Sequence, residues 1–158
     1  IWFAGAASLY SEEFYRLAQS HLQPGGVMQQ WVQLHHITLD DIAMVLRTMR
    51  AVFTHVSLWL LGSQGILIAS ETAPTLEVSR FDRESLRNER ELLGPARIAD
   101  LQASELLSTE ALDRFLAAHP GPLNTDANRF LEYSTPRQNL SRAELLKDNV
   151  AALRAFSR

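Results

Sequence analysis

The sequence predicts an α/β fold whose sheet ends in an antiparallel hairpin and is followed by a mainly helical appendage. Two segments with apolar residues at helical spacing alternate with β-rich runs over the first 70 residues. The last two of those runs, Val56–Gly62 and Gly65–Ser70, are separated only by a Gly62-Ser63-Gln64-Gly65 link. A parallel crossover needs about a dozen residues, so this link favours a hairpin. Composition then shifts after Ser70 toward charged, weakly amphipathic stretches. The organisation read from this is an α/β piece over residues 1–72 and an appendage over residues 73–158.

Each element has its own local cause. Ser11 with Glu12 and Glu13 starts a helix, because the hydroxyl caps free N–H groups and the acids face the positive end of the dipole. Phe14, Leu17, Ala18 and Leu22 form its apolar face, and Gln23-Pro24-Gly25-Gly26 ends it. Val27–Leu34 follows as a strand of mixed polarity. Thr38 and Asp41 read as a capping box with Asp in place of Glu. The helix they open carries Ile42, Val45, Leu46, Met49, Val52 and Phe53 on one broad face, a core stripe. Beyond the hairpin, Phe81–Leu93 reads as a helix stopped by Gly94-Pro95. Ala99–Leu107 and Thr109–Ala118 read as short helices, the second opened by Ser108 or Thr109 with Glu110. Residues His119–Arg137 form a loop-rich stretch around an extended Arg129–Tyr133. Ser141 and Glu144 cap a last helix lined by Leu145, Leu146, Val150, Leu153 and Phe156.

Composition excludes several functions. A net charge of −3 over 158 residues gives no basic footprint for nucleic acid. With no cysteine there is no disulfide, thiolate nucleophile or cysteine-based zinc site, which agrees with a reducing cytoplasm as the location. No apolar run reaches the roughly 18 residues of a membrane span. The start on Ile1-Trp2-Phe3, with neither an initiator Met nor the pattern of a signal peptide, reads as a chain that begins inside a longer one.

The candidate chemistry is sparse. His35 and His36 are adjacent on a strand and therefore point to opposite faces, so no metal site is expected there. His55 and His119 lie near turns and read as solvated. Gln29, Gln30 and Gln33 flank Trp31 near a strand end, where open α/β sheets bind ligands; they line a pocket or form a solvent-facing row beside a core Trp. The acid pairs Glu12-Glu13 and Asp40-Asp41 sit at helix starts, which accounts for them structurally. Asn124, Thr125, Asp126 and Glu132 form either a binding loop or ordinary turns. No nucleotide-binding glycine fingerprint or nucleophile elbow is present. No complete catalytic set is visible.

Gly5–Val27, reading GAASLYSEEFYRLAQSHLQPGGV, together with the strand VMQQWVQL, the helix after it and GILIAS, resembles the C-terminal half of the spermidine synthase family of polyamine aminopropyltransferases. WFAGAASLYSEEFY with PLNTDANRFLEYSTPR (Pro122–Arg137) looks like the bacterial spermidine synthase-like proteins that are often fused behind membrane-spanning segments. The likeness covers residues 1–70 and one later motif at residues 119–137. It implies the C-terminal half of a methyltransferase-like Rossmann sheet, cut just after the catalytic aspartate loop. The glycine-rich loop and the acidic residues would then precede Ile1. No cofactor is expected in this chain, and decarboxylated S-adenosylmethionine or S-adenosylmethionine is expected in the full-length parent.

The partner implied is the missing N-terminal half, with a homodimer as the other way to cover an open sheet edge, and membrane attachment belongs to the parent alone. Two departures accompany the likeness. Trp31 stands where the family often places an amine-contacting glutamine, and the link in LWLLGSQGIL is too short for the family's tyrosine-bearing loop. Both count against putrescine, and no carboxylate is visibly placed to handle an amine proton. The leading expectation is a fragment of a transferase, inactive alone, with Ser8, Tyr10, Gln29, Gln30 and Trp31 as its substrate-side residues and none catalytic. The alternatives are a non-catalytic interaction domain reusing the fold, and an independent α/β domain.

Overall fold

A computed structural model of the chain describes residues 6–35, 37–75, 101–134 and 142–157. The order is a 3-10 helix Ala6–Tyr10, then α1 Glu12–His21, β1 Val27–Gln33, α2 Leu39–Arg50, β2 His55–Leu61 and β3 Gln64–Ser70. It continues with β4 Glu105–Leu107, α3 Thr109–Ala118, α4 Phe130–Ser134 and α5 Arg142–Arg154. The strands form one four-stranded sheet in the order β1-β3-β2-β4, with every pairing antiparallel. The α-β-α-β-β start and the hairpin are as the sequence predicts. Gly62 takes φ +62° at the first position of the two-residue turn, where a hairpin of this kind demands a left-handed residue. The helix expected at Phe81–Leu93, its Gly94-Pro95 stop and the Ser141 cap lie outside the described residues.

The caps work as their chemistry requires. Ser11, Thr38 and Ser108 each accept a backbone N–H three residues on, from Phe14, Asp41 and Ala111. The α2 stripe is core throughout, with Ile42, Val45, Leu46 and Met49 fully buried and Phe53 beside them. In the sheet, Val32, Gly65, Leu67, Ala69, Val56 and Leu58 occupy the face that carries the core. The same core takes in Leu107, Leu112, Phe115, Leu131 and Leu153. The other face bears a cross-strand row Trp31–Ile66–Trp59, in which Trp31 stays 42% exposed.

Four expectations change. Ala99–Leu107 does not end as a helix: Glu105–Leu107 is a strand, pairing Leu58 with Leu107 and Trp59 with Glu105. The open edge of β2 supplies hydrogen-bond partners that outweigh local helix propensity. Arg129–Tyr133 is not extended, since Phe130–Ser134 is helical. Its first N–H groups are held by side chains, Phe130 N donating to Asn128 Oδ1 (3.3 Å) and Leu131 N to Asn124 Oδ1 (3.3 Å). Leu17 is 58% exposed, and α1 docks through the fully buried Tyr15 instead. His119 is half-buried rather than fully solvated: it packs on Phe115, with centroids 4.3 Å apart, and edge-on to Phe156 at 5.9 Å.

The β1–β3 contact is tight at one point. A Cβ on Gly65 would lie 2.7 Å from Val32 Cγ1 and 2.9 Å from the Val32 carbonyl oxygen, whereas one on Gly62 meets nothing within 4 Å. Gly65→Ala is expected to cost about 1–3 kcal/mol through overpacking. Gly62→Ala is expected to cost only the left-handed backbone penalty, about 1 kcal/mol. Urea unfolding midpoints of the two variants give the order.

Candidate functional site

The site is built where the loop Pro122–Asn128 crosses the 3-10 helix and the start of α1. Asn124 lies at the crossing and is buried. Its backbone N–H donates to Thr48 Oγ1 of α2 (2.9 Å), and its carbonyl accepts from Glu12 N at the start of α1 (2.9 Å). Its side-chain Nδ2 donates to Ala7 O (3.0 Å), while Oδ1 accepts from Leu131 N. Nearby, Asp126 N donates to Glu13 Oε2 (3.0 Å), so one acid of the Glu12-Glu13 pair secures this loop as well as opening a helix.

The loop's own polar side chains shape the rest. Asn128 Oδ1 accepts from Thr125 N (3.0 Å), and its Nδ2 donates to Leu123 O (2.9 Å). Arg129 follows in a left-handed conformation, φ +46°, which costs a non-glycine residue about 1 kcal/mol or more. Its Nε donates to Asp126 O (3.2 Å). The result is a surface cavity of about 280 Å³ lined by Ala7, Ser8, Asn124, Thr125, Asp126, Arg129 and Glu132. No ion pair among the described residues involves Asp126, Glu132 or Arg129. Asp126 and Glu132 thus line one cavity together with Arg129, Ser8 and Thr125.

The five residues singled out from the sequence fall in three places. Ser8 lines the cavity. Tyr10 and Gln30 belong to a part-buried network behind it, where Tyr10 Oη donates to Trp31 O (3.0 Å) and Tyr15 Oη to Gln30 Oε1 (2.6 Å). Gln30 Nε2 donates to Leu9 O (2.8 Å), so both ends of that amide are engaged. Gln29 and Trp31 lie one strand position away on the opposite face, with Trp31 Nε1 donating to Gln64 Oε1 (2.5 Å). Gln33 meets His35 Nε2 at 2.8 Å. Asn124, Thr125, Asp126 and Glu132, grouped in the sequence as a binding loop or ordinary turns, all line this cavity, and Arg129 is the charged lining residue that the sequence did not single out.

Burial raises the Tyr10 hydroxyl, and burial with the neighbouring Tyr10 raises Tyr15 well above the usual phenol range. Among the described residues no group of three or more histidines and acids is placed to hold a metal ion. A second cavity of about 430 Å³ between the β2–β3 turn and α5 is lined by Leu60, Gly62, Leu146, Lys147, Val150 and Arg154. Among the described residues its charged lining is cationic, Lys147 and Arg154.

The chain is an α/β protein with a four-stranded antiparallel sheet, and comparison with known proteins narrows the class. No protein-family model matches the chain. It is 34% identical over 138 residues to polyamine aminopropyltransferase 2 of Pseudomonas aeruginosa, a match covering 80% of this chain and 38% of that protein. This match supports the spermidine synthase-like character read from the sequence motifs. The chain thus spans well under half the length of its relative. Among the described residues, no helix is long and apolar enough to cross a membrane.

Asn124→Ala removes the buried amide that donates to the Ala7 carbonyl and accepts from the Leu131 N–H. The expected loss is about 1–3 kcal/mol, read as a lower thermal midpoint. The Tyr15 pKa is raised in the fold, so the folded state holds its proton longer than the unfolded one. Stability is therefore full below the unfolded phenol range near 10.0 and falls as pH rises above it. Thermal melts between neutral pH and pH about 11 should show that alkaline loss, and it should shrink in Tyr15→Phe.

Proposed function

We propose that this chain is the acceptor-side portion of a spermidine synthase-like aminopropyltransferase, built as the C-terminal half of a methyltransferase-like Rossmann sheet. The observation carrying the reading is the cavity at the 3-10 turn, lined by the carboxylates of Asp126 and Glu132, in a chain related to a polyamine aminopropyltransferase. Transfer of a group onto an amine requires that nitrogen to shed a proton in or after the bond-forming step, and a nearby carboxylate takes or orients it. In this chain the carboxylates meet at that cavity. Ser8 belongs to its wall, while Tyr10 and Gln30 hold the wall in place through Leu9 and Trp31. Gln29 and Trp31 belong to the other face of the sheet.

The decarboxylated S-adenosylmethionine implied by the family is held by a portion other than these residues. Support for such a portion comes from the 38% coverage of the relative and from β1, whose outer edge is unpaired among the described residues. The Trp31–Ile66–Trp59 row gives a further layer something to cover.

The test has two arms. Titration of decarboxylated S-adenosylmethionine into this chain alone should release no heat, and micromolar binding would overturn the division of labour. A chimera placing the unmatched part of the Pseudomonas relative ahead of this chain should yield aminopropylated amine by mass spectrometry. Asp126→Asn in that chimera should lower kcat/KM by about 10–100-fold, the worth of one charge-assisted hydrogen bond.

A further inference from the structure

The Asp126–Arg129–Glu132 cavity carries charges of both signs, and that pattern bears on what it takes. We propose that its ligand is an amine that also bears a carboxylate, a diamino acid rather than a bare diamine. The inference rests on the reading of the cavity as an acceptor site and names the acceptor's class.

The argument is one of complementarity. Asp126, Glu132 and Arg129 all line the cavity, and among the described residues the Arg129 guanidinium donates through Nε to the Asp126 carbonyl. Among the described residues neither carboxylate has an ion-pair partner, and Arg129 is paired with neither of them. A diamine would satisfy the acids and leave the guanidinium facing ammonium groups. A simple carboxylate would do the reverse. A molecule with two amino groups and one carboxylate matches all three, with the planar guanidinium suited to grip a carboxylate in two places. The hydroxyls of Ser8 and Thr125 add short-range donors and acceptors on the same wall. At about 280 Å³ the cavity is at the small end of ligand pockets, which fits a compact metabolite.

L-lysine and 1,5-diaminopentane differ only by the α-carboxylate and so isolate the claim. In an NMR titration of the complete chain, lysine should shift the amide signals of Thr125, Arg129 and Glu132 and bind at least fivefold more tightly than 1,5-diaminopentane. Arg129→Gly removes the guanidinium while suiting the left-handed backbone at that position, and it should erase the difference between the two ligands. Arg129→Gln serves as a second variant should the glycine loosen the turn. Asp126→Asn with Glu132→Gln should weaken both ligands together. Equal or tighter binding of the diamine, or no shift at the cavity by either ligand in a folded chain, would overturn the proposal. Aminopropyl transfer to simple diamines without a lysine preference would leave the transferase reading standing and this one lost. A lysine preference that disappears in Arg129→Gly, in a chimera that transfers nothing, would do the opposite.

Discussion

One buried carboxamide holds the two ends of this architecture together. Asn124 uses its main chain to tie α1 to α2, and its side chain to tie the 3-10 helix to α4. The Ala7 and Leu131 main-chain groups it satisfies sit in a region where water is excluded. An unmet polar group there costs more than a met one contributes, so the loop has a single stable seat. The cavity follows from this seat. Ser8 is placed by the 3-10 helix on one side, and Asp126 to Glu132 by the loop on the other.

The strand β1 shows how a two-residue period divides a polar run into unrelated jobs. Gln30 faces α1 and is spent bracing Tyr15 and Leu9, whereas Gln29 and Trp31 lie on the opposite face of the sheet from the core. A fully buried tyrosine is tolerable only because its hydroxyl finds the Gln30 carbonyl oxygen. The indole of Trp31 has no such enclosure on its side; it donates to Gln64 and remains partly open. Reading those three glutamines as one row was reasonable in the linear chain and fails once the pleat is considered.

Much of the architecture was legible because it is encoded locally. Ser11, Thr38 and Ser108 announce helix starts within three residues, the α2 stripe repeats at helical spacing, and the hairpin is specified by a glycine-containing link. The three residues of β4 carry no usable periodicity, and their strand state is imposed by the edge of β2. The helix at Phe130 depends on side-chain acceptors from Asn124 and Asn128, which no amphipathic pattern reveals. The contacts that assemble the site are also the longest in sequence, Asn124 meeting Ala7 across 117 positions. Only the likeness of two motifs, near residue 10 and near residue 125, hinted that these stretches belong together.

The exposure of the cavity sets what kind of selectivity it can have. Asp126 and Arg129 are exposed and Glu132 is half-buried, so each charge keeps much of its hydration and a single exposed pair is worth about 0–1 kcal/mol. Discrimination on such a surface comes from several weak contacts that must be satisfied together, and from the penalty of setting like charges face to face. A further layer over the turn would lower the local dielectric and strengthen every one of those terms without changing a contact. On the proposed reading, the geometry of the loop sets which charge pattern is preferred, and any layer over the turn would set how strongly. That separation accounts for a site whose parts are rigidly held by Asn124 and yet lie open in this chain.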